Sequence, residues 1–147
     1  MVEAVDTREL SNCMCMRLRR ATRRLTQLYD HALQDCGLTA TQYNVLAVIA
    51  HEDDRAMGAI ANWLGMDPTT LNRNVRRLLA LRLVRDGRNP RDGRIRTLAA
   101  TKKGQAKLRE GLPLWRDAQR QLRAYGGEPA AVEADRLNRA LARHRAG

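Results

Sequence analysis

Apolar positions recur every three or four residues along most of the chain. Leu18, Ala21, Leu25, Leu28 and Ala32 keep this spacing, which predicts one long helix over residues 7–35. Gly37 ends it, as a glycine just past a helix does. Thr39 with Gln42 three residues later has the form of a capping box. It opens a second helix whose apolar positions are Tyr43, Leu46, Ala47, Ile49 and Ala50, closed by Glu52-Asp53-Asp54. A short helix is expected over residues 57–64, with Ile60, Ala61 and Leu64 inward and Gly65 as its stop. Asp67 as N-cap and Pro68 at the first helical position begin the next helix. It is expected to reach about Arg82, with Leu71, Val75, Leu78 and Leu79 inward.

The period then changes. Leu83-Val84-Arg85 and Ile95-Arg96-Thr97-Leu98 read as two short strands, separated by two Asp-Gly pairs and an Asn-Pro. This is a β-hairpin with a long, basic tip. From Thr101 the chain is helical again, with Gly111 and Pro113 expected to interrupt or kink it. The helix resumes through Leu114, Trp115, Ala118 and Leu122 to Tyr125. Gly126-Gly127 is a break. A last helix from Glu128-Pro129 places Val132, Leu137, Ala140 and Leu141 on one face.

Helix, short helix, turn, helix, hairpin is the order of a winged helix-turn-helix. The fold class is therefore mostly α with a small β-hairpin wing (α+β). In such a module the second helix of the pair enters the major groove with its N-terminal residues at base edges. Thr69, Thr70, Asn72, Arg73 and Asn74 are the candidate readers. Arg76 and Arg77 lie a turn later, where phosphate contact fits better. The hairpin tip carries Arg88, Arg91 and Arg94, and arginines on a β-tip suit a narrow minor groove.

Charge sharpens this picture. The formal net charge is +11. Residues 55–110 hold 14 basic and 4 acidic groups, so nearly all the excess sits in the middle third. That localisation is the footprint of a nucleic-acid partner. Only Lys102, Lys103 and Lys107 are lysines; the other basic residues are arginines, suited to bidentate contacts with phosphate and guanine.

Composition excludes other classes. No apolar run is long enough to cross a membrane, and no apolar segment near the N-terminus suggests a signal peptide, so a cytoplasmic protein is expected. Three cysteines do not make a disulfide framework. No nucleophile-base-acid arrangement, P-loop or GxGxxG occurs, so no enzyme and no cofactor are expected. His31, His51 and His144 lack metal-ligand spacing, and no metal site is expected. An architectural DNA-binding protein with little sequence preference is the alternative within the DNA-binding class.

Several strings resemble the MarR family of transcriptional regulators, across essentially the whole chain. They are Leu38-Thr39-Ala40-Thr41-Gln42-Tyr43, Ile60 through Leu71, and the wing string Asp92-Gly93-Arg94-Ile95-Arg96-Thr97-Leu98 with Thr101 and Gly104. Ala100 departs from the family's usual leucine. The resemblance implies that Asp92 and Arg94 brace the wing and that Arg94 approaches the minor groove. It also implies a homodimer on double-stranded DNA. Residues 1–36 and 111–147 would form the helical dimerisation region and residues 37–110 the DNA-binding domain.

Such regulators usually answer a small aromatic or phenolic ligand in the cleft between the two parts. The candidate effector residues are Arg17 or Arg20 as anion partner, with Tyr29, Tyr43 and Trp115 among the few aromatic rings. For Trp63 packing is the expectation. A second branch of the family senses organic peroxides through a cysteine near the start of the first helix. Cys15 holds that position, and Tyr29 of a partner subunit would hydrogen-bond it. Fourteen residues span roughly 21 Å of helix, so the pair cannot meet within one chain. The branch's second tyrosine is replaced by Arg19. Cys13, Cys15 and Cys36 are otherwise inert packed thiols or metal ligands, although Cys13 and Cys15 would face opposite sides of one helix.

Overall fold

The computed structural model describes residues 7–52 and 54–144, apart from the side chain of Glu9. The elements in order are α1 (Thr7–Ser11), α2 (Met14–Leu33), α3 (Ala40–His51), β1 (Arg55–Ala56), α4 (Met57–Leu64), α5 (Pro68–Ala80), β2 (Val84–Arg88), β3 (Arg96–Ala100), α6 (Lys102–Ala124) and α7 (Gly127–His144).

The local signals produce their helix ends. Thr39 and Gln42 exchange side-chain and backbone hydrogen bonds, both at 3.2 Å. Asp30 of α2 accepts the next free amide, that of Ala40, at 2.7 Å. Gly37 and Gly65 both take up the left-handed conformation, with φ of 72° and 62°. Asp67 caps α5 by accepting the Thr70 amide at 2.9 Å.

Several sequence expectations give way. The helix over residues 7–35 is broken at Asn12-Cys13, and its last turn is a 3₁₀ turn over Gln34–Cys36. Everything described before Thr26 is exposed, so no packing holds that stretch helical against two poor helix formers. Helix α5 stops at Ala80, where Arg82 turns to a positive φ of 56°. The strands run two or three residues beyond the expected ones, and a third strand, β1, joins them. The antiparallel order is β1-β3-β2, with Arg55 opposite Leu98 and Arg88 opposite Arg96.

Gly111 and Pro113 do not interrupt α6, which is continuous. Gly111 is a packing residue instead. The Tyr43 ring of α3 lies where its side chain would be, and an added Cβ would collide with it. Gly104 plays the same part against the backbone carbonyl of Leu83, where Thr101 caps α6 and also donates to the Arg82 carbonyl at 2.8 Å.

One core results. Val45, Leu46 and Ile49 of α3, Ile60 of α4, Leu71, Val75 and Leu78 of α5, and Leu83 and Leu98 flanking the hairpin are all buried. Each such side chain contributes about 1.5–3 kcal/mol when fully withdrawn from water. Most of this core comes from the middle of the chain and fixes α5 against the sheet, with Leu33 of α2 and Cys36 completing it and Tyr29, Leu114 and Trp115 packed on its edge. The ends are different. Helix α7 has no buried residue, and Leu10, Met14, Met16, Leu18, Leu25, Tyr125, Val132, Leu137 and Leu141 are all exposed.

Candidate nucleic-acid interface

Leu71, Val75 and Leu78 face the core, so α5 must present the remaining positions outward. Thr69, Arg73, Arg76 and Arg77 are exposed, and Asn72 is half-buried at the edge of that face. Thr70 is partly withdrawn. Its hydroxyl donates to Asp67 at 2.6 Å, and this bond, followed by the Thr70 amide, holds the Asp67 carboxyl below its usual range. Asn74 corrects the expectation made for it. It is buried at 8% exposure, and its amide donates to the Thr70 carbonyl at 2.9 Å. Positions 71, 74, 75 and 78 share one helical face, so the spacing itself places Asn74 inward.

The wing is built from polar turns. Asn89 accepts the backbone amides of Arg91 at 2.8 Å and Asp92 at 3.3 Å. Asp92 in turn accepts both the amide of Arg94, at 3.1 Å, and its Nε–H, at 3.2 Å. The Arg94 side chain is nevertheless 92% exposed, so Asp92 orients a guanidinium that remains open to solvent. Arg88 and Arg91 are exposed beside it. None of Arg73, Arg76, Arg77, Arg88 or Arg91 has an ion-pair partner among the described residues. Unpaired guanidinium groups on one side of a module are what phosphate binding requires.

Sequence reasoning missed Arg96. Its Nε–H donates to Asp86 at 2.5 Å and its Nη1–H to Asn72 at 3.4 Å, so one side chain spans both wing strands and α5. The available signal was strand alternation, which puts Arg96 on the same face as buried Leu98.

The candidate effector residues do not come together. Arg17 and Arg20 line a groove of about 1200 Å³ between α2 and the α6–α7 corner, with Leu18, Leu25, Leu122 and Leu137. Tyr43 is instead a core residue whose hydroxyl donates to the Leu108 carbonyl at 2.8 Å. Tyr29 and Trp115 pack against the same core. Burial raises the phenol pKa of both tyrosines, opposed at Tyr29 by the charge of Arg123. The ring that does line the groove is Tyr125. Trp63, expected to pack, is 66% exposed on α4.

Cys13 and Cys15 are exposed and Cys36 is buried. Cys13 stands outside the helix that carries Cys15, so the opposite-faces argument does not apply to it. Cys15 and Tyr29 lie on one helix, fourteen residues apart, and no bond among the described residues joins them. No helix among the described residues is long and apolar enough to cross a membrane.

Comparison with known proteins agrees with this geometry. Residues 37–95 match the MarR family model. The structure is similar to that of the M. tuberculosis transcriptional regulator MosR in complex with DNA, with 37% identity and a TM-score of 0.79 over 92% of this chain and 98% of that one. It is similar to CouR from Rhodococcus jostii RHA1 bound to p-coumaroyl-CoA, with 26% identity and a TM-score of 0.67 over 90% and 91%. A mutant MarR from E. coli complexed with operator DNA shares the fold, with 19% identity and a TM-score of 0.78 over 94% and 99%. No curated protein matches the sequence.

Proposed function

Because the chain belongs to the MarR family of transcriptional regulators, we propose that it acts as a homodimeric repressor on a pseudo-palindromic operator and releases DNA when it binds a small aromatic or phenolic effector. The observation that carries the DNA reading is the exposed face of α5 beside a wing whose Arg94 is oriented by Asp92 and left open. Thr69, Asn72 and Arg73 meet base edges in this reading, with Thr70 in support. Arg76 and Arg77 meet phosphates, and Arg88, Arg91 and Arg94 enter the minor groove. Residues 37–110 form the reading unit.

Residues 1–36 and 111–147 form the dimer. The support is the set of exposed leucines on α2 and α7 around one groove, an apolar face of the kind that marks interaction sites. The effector reading draws on the same groove. Arg17, Arg20 and Arg24 stand on its apolar walls, a combination suited to an organic anion. The p-coumaroyl-CoA bound by CouR is an aromatic thioester with phosphate groups, consistent with that chemistry.

Footprinting on the promoter beside the protein's own gene tests the proposal. Two protected half-sites about one helical turn apart are expected, with affinity that falls steeply as salt rises. Smooth protection of any duplex would make this an architectural protein instead.

A further inference from the structure

Arg96 is the first residue of β3, and its side chain points to the helical side of the sheet. Directly opposite it on β2 stands Arg88. Two like charges in that relation repel. Asp86, the diagonal neighbour on the same face, offsets the repulsion by accepting the Arg96 Nε–H at 2.5 Å. With Nε held there, the rest of the planar guanidinium is directed toward α5. Its Nη1–H meets Oδ1 of Asn72 at 3.4 Å, and both side chains are half-buried at that point.

An amide side chain has two chemically opposite ends. Turned the other way, Asn72 would press its own N–H donors against a cation. The guanidinium therefore fixes the amide's polarity, with oxygen inward and Nδ2 toward the exposed face. This bears on base reading. Asparagine selects adenine by two bonds at once, giving an N–H to N7 and accepting the N6 amino group on its oxygen. An oxygen already bonded to a guanidinium is a poor site for a second, partly positive donor.

We propose that Arg96 is a positioning residue that makes Asn72 a donor-only reader, which removes adenine's two-bond advantage and favours guanine O6 or N7, or thymine O4, at one position of the site. This rests on the reading above that Asn72 faces base edges.

The test is competition binding on a set of duplexes, derived from the footprinted site, in which every base pair is varied in turn. The wild-type protein should disfavour adenine at one position. Arg96→Ala should shift that position alone toward adenine, by about fivefold to a hundredfold, and Asp86→Asn should shift it the same way. Arg96→Lys, which keeps a cation near the amide oxygen, should restore most of the wild-type preference. Asn72→Ala should flatten the same position in every background. A merely structural role would lower affinity for all duplexes together and leave the ratio at that position unchanged. That result in both Arg96→Ala and Asp86→Asn overturns the proposal, as does a wild-type preference for adenine there. If Asn72→Ala alters no position, the placement of Asn72 against bases fails, and the role of Arg96 falls with it. If Asn72→Ala acts and neither of the other two variants does, only the role of Arg96 is lost.

Discussion

Alanine at position 111 should destabilise this protein, although glycine-to-alanine changes inside helices usually do the opposite. The intrinsic gain is about 0.5–1 kcal/mol, from the smaller backbone entropy lost on folding. Here the added methyl would lie 3.1 Å from Cζ and 3.2 Å from Cδ2 of Tyr43, and closer still to Cε2. Carbon atoms in good contact sit about 3.5–4.0 Å apart. Tyr43 has little room to retreat, since it is 5% exposed and its hydroxyl is bonded to the Leu108 carbonyl, less than one turn before Gly111 on the same helix. Tilting the ring breaks that bond, a loss of about 0.5–1.5 kcal/mol. Moving α6 instead opens the contact between α3 and α6. Overpacking of this kind costs about 1–3 kcal/mol. Setting the propensity gain against it leaves a net loss of about 0.5–2 kcal/mol. For a chain of this size that is roughly 1–8 °C in Tm. Thermal and urea unfolding at one fixed chain concentration would measure it, because association shifts the midpoint. The decisive control is Tyr43→Leu. In that background Gly111→Ala should become neutral or stabilising, a coupling above about 1 kcal/mol. Equal stability of Gly111→Ala and wild type, or a coupling near zero, would refute the assignment of Gly111 to ring packing.

Arg94→Ala should weaken operator binding in gel-shift titrations while leaving the thermal midpoint unchanged, since the side chain is almost fully exposed and, among the described residues, bonds Asp92 alone. Arg73→Ala should relax preference at one base pair by about 1–3 kcal/mol if it meets guanine, read from competition with single-base variants of the site. Leu137→Asp places a charge in the groove between α2 and α7 and should give a monomer by analytical ultracentrifugation; an undiminished dimer would move the interface elsewhere. Alkaline stability follows from Tyr43 and Tyr29, whose phenol pKa values are raised by burial. A raised pKa stabilises below the unfolded value, about 10, and that contribution disappears as pH rises through the folded one. Unfolding free energy should therefore decline above about pH 10, and less so in Tyr43→Phe.

What the sequence made legible was local chemistry. Thr39 with Gln42, Asp67 with Pro68, and Gly65 act within a turn of themselves, so their types and spacing suffice to mark helix ends. What it hid depends on residues far apart in the chain. Gly111 looked like a helix breaker because Tyr43, its reason for being small, lies 68 positions earlier. Strand β1 has two residues, too few for any alternation to register, and exists through its pairing with Leu98 and Thr97. Arg96 bonds Asn72 across 24 positions. Asn74 is the instructive exception, since its burial was present in the helical spacing and its polar side chain masked it. The aromatic cleft failed for a related reason. Ring counting cannot tell a core tyrosine from a pocket tyrosine, and the Leu108 carbonyl decides the case for Tyr43.

Helix α7 has not one buried residue, and it meets the rest of the chain chiefly at its start, through Glu128 and Arg123, so its stability rests little on packing within the chain. The reading unit carries most of a core, closed by Leu33, Cys36 and the nearer ends of α2 and α6. In the proposed dimer these two facts separate folding from assembly. A chain diluted below its association threshold would keep an intact DNA-reading head and lose the order of its arm. A single head grips half a site weakly. At low occupancy, operator binding would then follow roughly the square of chain concentration, so a twofold fall in chain concentration would cut occupancy about fourfold, against about twofold for a preformed reader. The unsupported arm is thus a gauge of how much regulator the cell contains.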